Sequence, residues 1–455
     1  MSPFAMNDDM AAPPSPGAEN ADSADTHESP STAELWARLR EDRRYLAMMG
    51  LGFSSGIPYQ LVFYTQSDWW TQAGVAVGII GLLGELTVAY QLKFLWAPFL
   101  DSYSPPLLGR WLGRRRGWIV LAQLGCMASL AGVAFGDPGH FLAWTAAFTM
   151  ALGVFGATLD ASSDGWRINA APQGKQALMN SFSEIGYRFG TLASGALALS
   201  LGQHLGWRAA YLVMAALLLV GTACAWLAPE TEVDLRPPGP RPGLLETVWT
   251  PLQDLMARLG RFAIPVLVLI AGFRLPGYLT SAMSMPLFKH LQYSEDHIAL
   301  VTKTFGFFIG MAATIFSAWL VRRIGILRSL FVGTAAASAS HLSLAWLSVH
   351  GSEFWAFCVA VSIEGFAYVF AQMVLITFMS LIASKEHATA QFALLTSLCA
   401  ILGHQFAAGS GLVVERVGFT NFFIGTALIG IPVAMLAWRI WQRGFSIAAI
   451  AANGR

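Results

Sequence analysis

Residues 354–383 read FWAFCVAVSIEGFAYVFAQMVLITFMSLIA, thirty positions with a single charged side chain, Glu364. Crossing the ~30 Å hydrocarbon core of a bilayer takes roughly 20 apolar residues, so this stretch is long enough to span a membrane as one helix. Comparable stretches recur on either side of it. Towards the N-terminus they lie near 327–348, 297–320 and 262–288, and towards the C-terminus near 390–413 and 421–442. A second set of six runs near 45–66, 77–100, 117–134, 141–164, 181–202 and 208–228. The expectation is an all-α integral membrane protein with twelve transmembrane helices in two six-helix bundles.

Composition agrees. Of 455 residues 55% are hydrophobic and only 12% charged, with 30 Phe and 16 Trp, far from the quarter or so of charged residues typical of soluble domains. Such a chain cannot cover its own surface with polar groups, and lipid must be its solvent. A net charge of +1 excludes the clustered basic surface that nucleic-acid binding needs. The four cysteines, Cys126, Cys224, Cys358 and Cys399, each stand in an apolar stretch and read as small apolar residues, with neither a disulfide nor a metal site expected. Residues 1–33 are rich in Pro, Ser, Ala and acids; they cannot repay ordering entropy and lack the basic start and apolar middle of a signal peptide.

Basic residues set the orientation, since short cytoplasmic loops collect them. They precede the first span (Arg38, Arg40, Arg43, Arg44) and fill every even loop: Arg110 and Arg114–Arg116, Arg167 and Lys175, Arg236 through Arg261, Arg322, Arg323 and Arg328, and Lys385. Both termini are therefore expected in the cytoplasm. The division is a tail and basic flank at 1–44, a first bundle at 45–228, a Pro-rich cytoplasmic linker at 229–261, a second bundle at 262–442 and a cytoplasmic tail at 443–455. Gly113-Arg114-Arg115-Arg116-Gly117 and Val321-Arg322-Arg323-Ile324-Gly325 follow the second span of each half, where a duplicated six-span unit would place them.

The run Lys93-Phe94-Leu95-Trp96-Ala97-Pro98-Phe99-Leu100-Asp101, followed by Gly113-Arg114-Arg115-Arg116-Gly117-Trp118, resembles the loop between spans two and three of the AmpG-type muropeptide permeases of the major facilitator superfamily. Gly52-Phe53-Ser54-Ser55-Gly56-Ile57-Pro58, Gly186-Tyr187-Arg188-Phe189-Gly190 and Gln391-Phe392-Ala393-Leu394-Leu395 extend the likeness over about residues 45–440. The resemblance implies proton-coupled import of peptidoglycan fragments, sugar-peptides, across the bacterial inner membrane by alternating access. The wider family also includes acetyl-CoA transporters, which leaves an acylated anionic solute as the alternative cargo. The chain departs from the family pattern at Leu159-Asp160 with Asp164-Gly165-Trp166-Arg167, at Gly277 where an acid is usual, and in an extra Trp-Leu-Gly near Arg110.

Ionisable side chains within spans are costly and are therefore candidates for function. Asp160 and Asp164, four apart on one helical face, read as proton-coupling acids, or Asp164 as the interfacial partner of Arg167. Arg188 follows Glu184 by one turn: a structural ion pair, or, within the motif shared with the family, a substrate-binding cation. Lys93, Arg274 and Lys303 would recognise cargo carboxylates, unless Lys93 merely snorkels. Glu364 matches an acidic position of the family and joins the coupling candidates, whereas Glu85 does not. Tyr59, Gln60 and Tyr90 suit a sugar, and Gln391 completes the binding set through its motif. Asp101 with Arg114, Arg115 and Arg116 reads as a gate latch, or as plain cytoplasmic charge bias. Gly52-Phe53-Ser54-Ser55-Gly56 spells Gly-x-Ser-x-Gly, but inside an apolar span it lacks the strand-to-helix elbow that a hydrolase nucleophile needs. The partners expected are a small-molecule sugar-peptide, protons and membrane lipids around a monomer, with no nucleic acid, cofactor or enzymatic role. A receptor that kept the same spans would read alike.

Overall fold

The computed structural model describes residues 42–76, 79–80, 88–229, 231, 243–447 and 450. Every regular element among them is helical, as an apolar chain in lipid requires, because each backbone N–H and C=O must be paired within its own segment. The first half runs α1 (Arg43–Gln60), prolonged through a π-helical turn to Gln72; α2 (Val88–Leu92); α3 (Ala97–Ser102); α4 (Leu108–Ala134); α5 (Leu142–Ala170); α6 (Gln176–Leu192), prolonged to Leu205; and α7 (Trp207–Leu227). The linker contains α8 (Leu244–Leu259). The second half is α9 (Ala263–Phe273), α10 (Leu275–His290), α11 (Gly306–Ile324), entered through Glu295–Phe305, then α12 (Ile326–His350), α13 (Phe354–Ile382), α14 (Ala388–Ala407) and α15 (Ser410–Gln442). Among the described residues nine helices are long and apolar enough to cross a membrane. Residues 81–87, with Glu85, fall outside the described chain.

Boundaries differ from expectation in two places that matter for function. α5 continues to Ala170 rather than ending near 164, so Asp164 and Arg167 share one helix. Arg114–Arg116, expected in a loop, form the first turn of the spanning part of α4, directly after a kink at Gly113, whose φ of 74° suits a residue without Cβ.

The halves pack as two bundles. In the first, α1 lies along α6 and α4 along α5 and α7; in the second, α12 packs on α13 and α15, and α11 on α13. The α1–α6 crossing is made by glycines four apart on both helices. Gly52 and Gly56 lie against the carbonyls of Ser183 and Tyr187, and Gly186 and Gly190 against those of Met49 and Phe53. A Cβ at any of the four would overlap backbone, so this is small-residue packing that lets helices approach in lipid. The Gly-x-Ser-x-Gly spelling is thereby accounted for as packing: Ser54 is fully buried against Gly221.

Candidate functional site

Three groups of polar side chains lie in the interior, one of them wholly within the first bundle. The first lies at the end bearing the C-termini of α5 and α13 and the N-termini of α6 and α14. Asp101, in the last turn of α3, is 3% exposed. Its carboxylate pairs with Arg115 and accepts the backbone N–H groups of Thr389 (3.3 Å) and Ala390 (2.7 Å) at the start of α14 in the other bundle. Arg115 also donates to the Thr389 hydroxyl. A carboxylate at a helix N-terminus meets unpaired donors and the positive end of the helix dipole. Around it Arg167 donates to Ser380 (2.9 Å), Asn180 to Thr377 (2.8 Å) and Ser181 to the Thr314 carbonyl (3.2 Å), all from first bundle to second. The arginines expected to act together divide their work. Arg115 joins Asp101 and Thr389, Arg116 donates to the carbonyls of Leu112 and Ala228 and holds the end of α7, and Arg114 stands half-buried beside them.

The second layer is charged and lies within the first bundle. Lys93 pairs with Asp160, and Asp164 with Arg167 at 2.8 Å, so the two acids four residues apart each have their own cation. Lys93 is 6% exposed; it faces protein and does not snorkel.

The third layer faces the centre from both sides. Tyr59 meets Tyr90 edge-on at 5.3 Å between ring centroids and Tyr187 at 6.1 Å, and Gln60 lies against Gly195. Arg188 pairs with Glu184 at 3.0 Å and rests its guanidinium on Gly310 of α11 in the opposite bundle, where any Cβ would displace it. From the second bundle, Arg274 occupies the break between α9 and α10, where Pro276 cannot donate a helical hydrogen bond. It donates to the Tyr368 hydroxyl (2.7 Å) and lies 4.8 Å from the Tyr278 ring centroid. Tyr59 is within electrostatic reach of Arg274, Tyr278 and Tyr368 across the gap. Glu364, one turn before Tyr368 on α13 and half-buried, has no hydrogen bond or ion pair among the described residues. Towards the far end, exposed Lys303 stands 5.7 Å from the Tyr64 ring centroid.

The structure therefore clusters Tyr59, Tyr90 and Tyr187 in the first bundle and Arg274, Tyr278 and Tyr368 in the second, and sets Arg188 against the second bundle at Gly310. It places Gln391 elsewhere. That amide donates to Asp254 (2.7 Å) and the Pro251 carbonyl (2.9 Å), and accepts from Arg258 and the Ser384 N–H (2.7 Å each). With its donors and acceptor engaged and no exposure, Gln391 fastens α8 to α14 and has no capacity left for cargo. Sequence reasoning missed Tyr187, Tyr278 and Tyr368; the spacing of four from Arg274 to Tyr278 and from Glu364 to Tyr368 was the available signal.

The model of the Major Facilitator Superfamily matches residues 48–408. Among curated proteins, the chain is 29% identical to an anhydromuropeptide permease of Escherichia coli strain K12, over 88% of this chain and 80% of that one. It is 26% identical to "Putative transporter AmpG 4" of Rickettsia felis, over 88% and 97%. Among solved structures, the proton:xylose symporter XylE superposes with a TM-score of 0.64 at 16% identity, covering 91% of this chain and 98% of that one. The human organic anion transporter MFSD10 gives 0.65 at 17%, covering 87% and 99%. At these identities the structures speak for the fold.

Proposed function

The chain belongs to the Major Facilitator Superfamily, and from that premise we propose that it is a permease carrying anhydro-muropeptides, sugar-peptides released from peptidoglycan, into the cytoplasm with protons. What supports the cargo is the chemistry of the side chains set towards the other bundle. Arg188 of the first bundle lies against Gly310 of the second, and Tyr59, Tyr90 and Tyr187 cluster in one half as Arg274, Tyr278 and Tyr368 do in the other. Planar two-donor cations suit carboxylates, and aromatic faces suit a sugar ring, so together they fit a molecule with both. The names of the relatives point the same way.

The mechanism follows from the layers. With twelve spans and both termini cytoplasmic, as the basic loops indicate, the Asp101–Arg115–α14 latch and the Arg167–Ser380 and Asn180–Thr377 bonds close the cytoplasmic side of the proposed carrier. Cargo enters, Arg188 and Arg274 draw the bundles together around it, the latch parts and the cargo leaves inwards. Proton coupling falls to a carboxylate that changes partner on the way. Glu364 is half-buried without a counter-charge among the described residues, and Asp160 can give up Lys93 when protonated; Asp164 is held by Arg167 and supports its neighbour.

The test is competition binding to the purified protein in nanodiscs with an anhydro-disaccharide tripeptide, its sugar alone and acetyl-CoA. Tight binding of the whole sugar-peptide, weaker binding of the sugar and none of acetyl-CoA is expected, and preference for acetyl-CoA refutes the cargo. Arg188→Lys and Arg274→Lys keep the charge and lose the two-donor plane, so each should lower affinity for the tripeptide at unchanged expression.

A further inference from the structure

Behind Arg274, inside the second bundle, lies a recess of about 400 Å³ counted with its open mouth, of which about 20 Å³ admits a water-sized group. That is room for one oxygen. It exists because Gly277 contributes no side chain where α10 begins, and its lining includes Arg274, Thr334, Ser338, His341, Tyr368 and Gln372. None of these neutral polar side chains is used by the transport layers described above, apart from the Tyr368 hydroxyl that receives Arg274.

Two buried atoms at this recess are left unpaired. The Nε–H of Arg274 has no partner among the described residues, and neither has Nδ1 of His341, a residue only 2% exposed. A neutral imidazole carries one N–H and one ring lone pair, so its unpaired nitrogen can serve as donor or acceptor according to tautomer. Buried polar atoms are ordinarily satisfied, and an orphan in a polar niche asks for a missing partner. Here the niche offers the Arg274 Nε–H as a donor beside groups that can donate or accept, namely the imidazole, the Tyr368 hydroxyl and the Gln372 amide. The hydroxyls of Thr334 and Ser338 spend their protons on backbone carbonyls of Leu330 and Thr334 and can add acceptance only.

A carboxylate oxygen satisfies Arg274 but can only accept, so it leaves any acceptor turned towards the recess unmet. An ammonium satisfies Nδ1 but opposes the guanidinium. One oxygen that both accepts and donates fits both, which means a hydroxyl. We infer that this recess is a hydroxyl subsite: it holds water in the empty carrier and takes one sugar hydroxyl of the cargo when loaded, with His341 reading the hydroxyl proton. This rests on the sugar-peptide reading proposed above and goes further, by dividing the cargo: carboxylates to Arg188 and the outer nitrogens of Arg274, one sugar hydroxyl to the recess.

The experiment measures binding of the anhydro-disaccharide tripeptide and a set of its single-deoxy analogues to the protein in nanodiscs. In the parent protein one deoxy analogue should lose about tenfold or more, because it strands both recess atoms. His341→Leu should bind the full cargo more weakly by a similar factor and no longer distinguish that analogue. Gly277→Ala, whose new methyl would meet the Tyr368 ring at 3.3–3.4 Å and narrow the recess without touching His341, should penalise the full cargo more than the analogue; it guards against a folding defect in His341→Leu. Equal binding of all deoxy analogues would mean that the recess holds water alone and would overturn the inference while leaving the cargo reading standing. A parent protein that does not bind the full tripeptide would overturn the cargo reading, and the subsite with it.

Discussion

Asp101→Asn isolates the electrical part of the latch, because the amide keeps the size and one acceptor oxygen of the carboxylate but not its charge. Asp101 and Arg115 both belong to the first bundle, so losing their attraction weighs on the latched and unlatched states alike. The contacts to Thr389 and Ala390 cross to the second bundle, so in the proposed cycle they belong to the closed state alone. A hydrogen bond to a charged acceptor contributes about 1.5–3 kcal/mol and a neutral one about 1, so the good bond at 2.7 Å loses about 1 kcal/mol. The longer bond at 3.3 Å loses less. Removing a buried negative charge from the N-terminus of α14, a helix of 20 residues, takes away about another 1 kcal/mol. The sum, about 2 kcal/mol against the latched state, is a roughly 30-fold shift in the equilibrium.

A cysteine at Ser181, which is 5% exposed and bonded across the interface to the Thr314 carbonyl, reports that shift. In a background without native cysteines, its labelling by a membrane-impermeant thiol reagent in inside-out vesicles should quicken by tens of fold in Asp101→Asn. Arg115→Gln should act more weakly, since it leaves the carboxylate on the α14 N-terminus. An unchanged labelling rate in Asp101→Asn, with expression and melting temperature preserved, would show that the contact to α14 does not hold the bundles together.

Gly186→Ala places a methyl into the Met49 carbonyl; the forced separation of α1 and α6 should cost about 1–3 kcal/mol and lower the melting temperature in detergent, whereas Gly411→Ala, with nothing within 4 Å, should not. Glu364→Gln and Asp160→Asn are compared for uphill uptake and for exchange in proteoliposomes: the coupling acid is the one whose variant still exchanges cargo but no longer accumulates it, and accumulation by both like the parent removes coupling from these two. Gln391→Ala strips four hydrogen bonds from the α8–α14 junction and should lower thermal stability by several degrees while leaving cargo affinity unchanged; a selective loss of affinity would return Gln391 to the binding set. Cysteines at Gly113 and Val321 should label from the cytoplasmic side and one at Gly139 from the outside, and the reverse pattern would invert the orientation drawn from the basic loops.

The helical architecture was legible because lipid leaves the backbone few options, so apolar length alone marks the helices. Local spacing gave the Glu184–Arg188 and Asp164–Arg167 pairs, since residues three or four apart must meet on a helix. What spacing cannot give is a partner from the far half of the chain. Asp101 and Thr389 are 288 positions apart, and the feature that joins them is a helix N-terminus, which has no side-chain signature. The same limit misdirected Gln391: its motif marks a position that matters, and only the packing of α8 shows that it serves the linker. His341 escaped because a lone histidine in an apolar stretch resembles a satisfied core residue until the cavity beside it is seen.

Charge balance separates the two bundles more sharply than topology does. In the first, Lys93, Arg115, Arg167 and Arg188 each hold a carboxylate, Asp160, Asp101, Asp164 and Glu184, while buried Arg116 holds backbone carbonyls. In the second, among the described residues, Arg274 has tyrosines and no acid, and Glu364 has no cation. A charge without a partner costs far more in a low-dielectric interior than one in a pair, so among the described residues Arg274 and Glu364 are where a partner has most to relieve. An anionic group at Arg274 or a proton at Glu364 should therefore bind with a gain. In the proposed cycle that gain, on the second bundle, adds to what Arg188 and Asp160 contribute from the first.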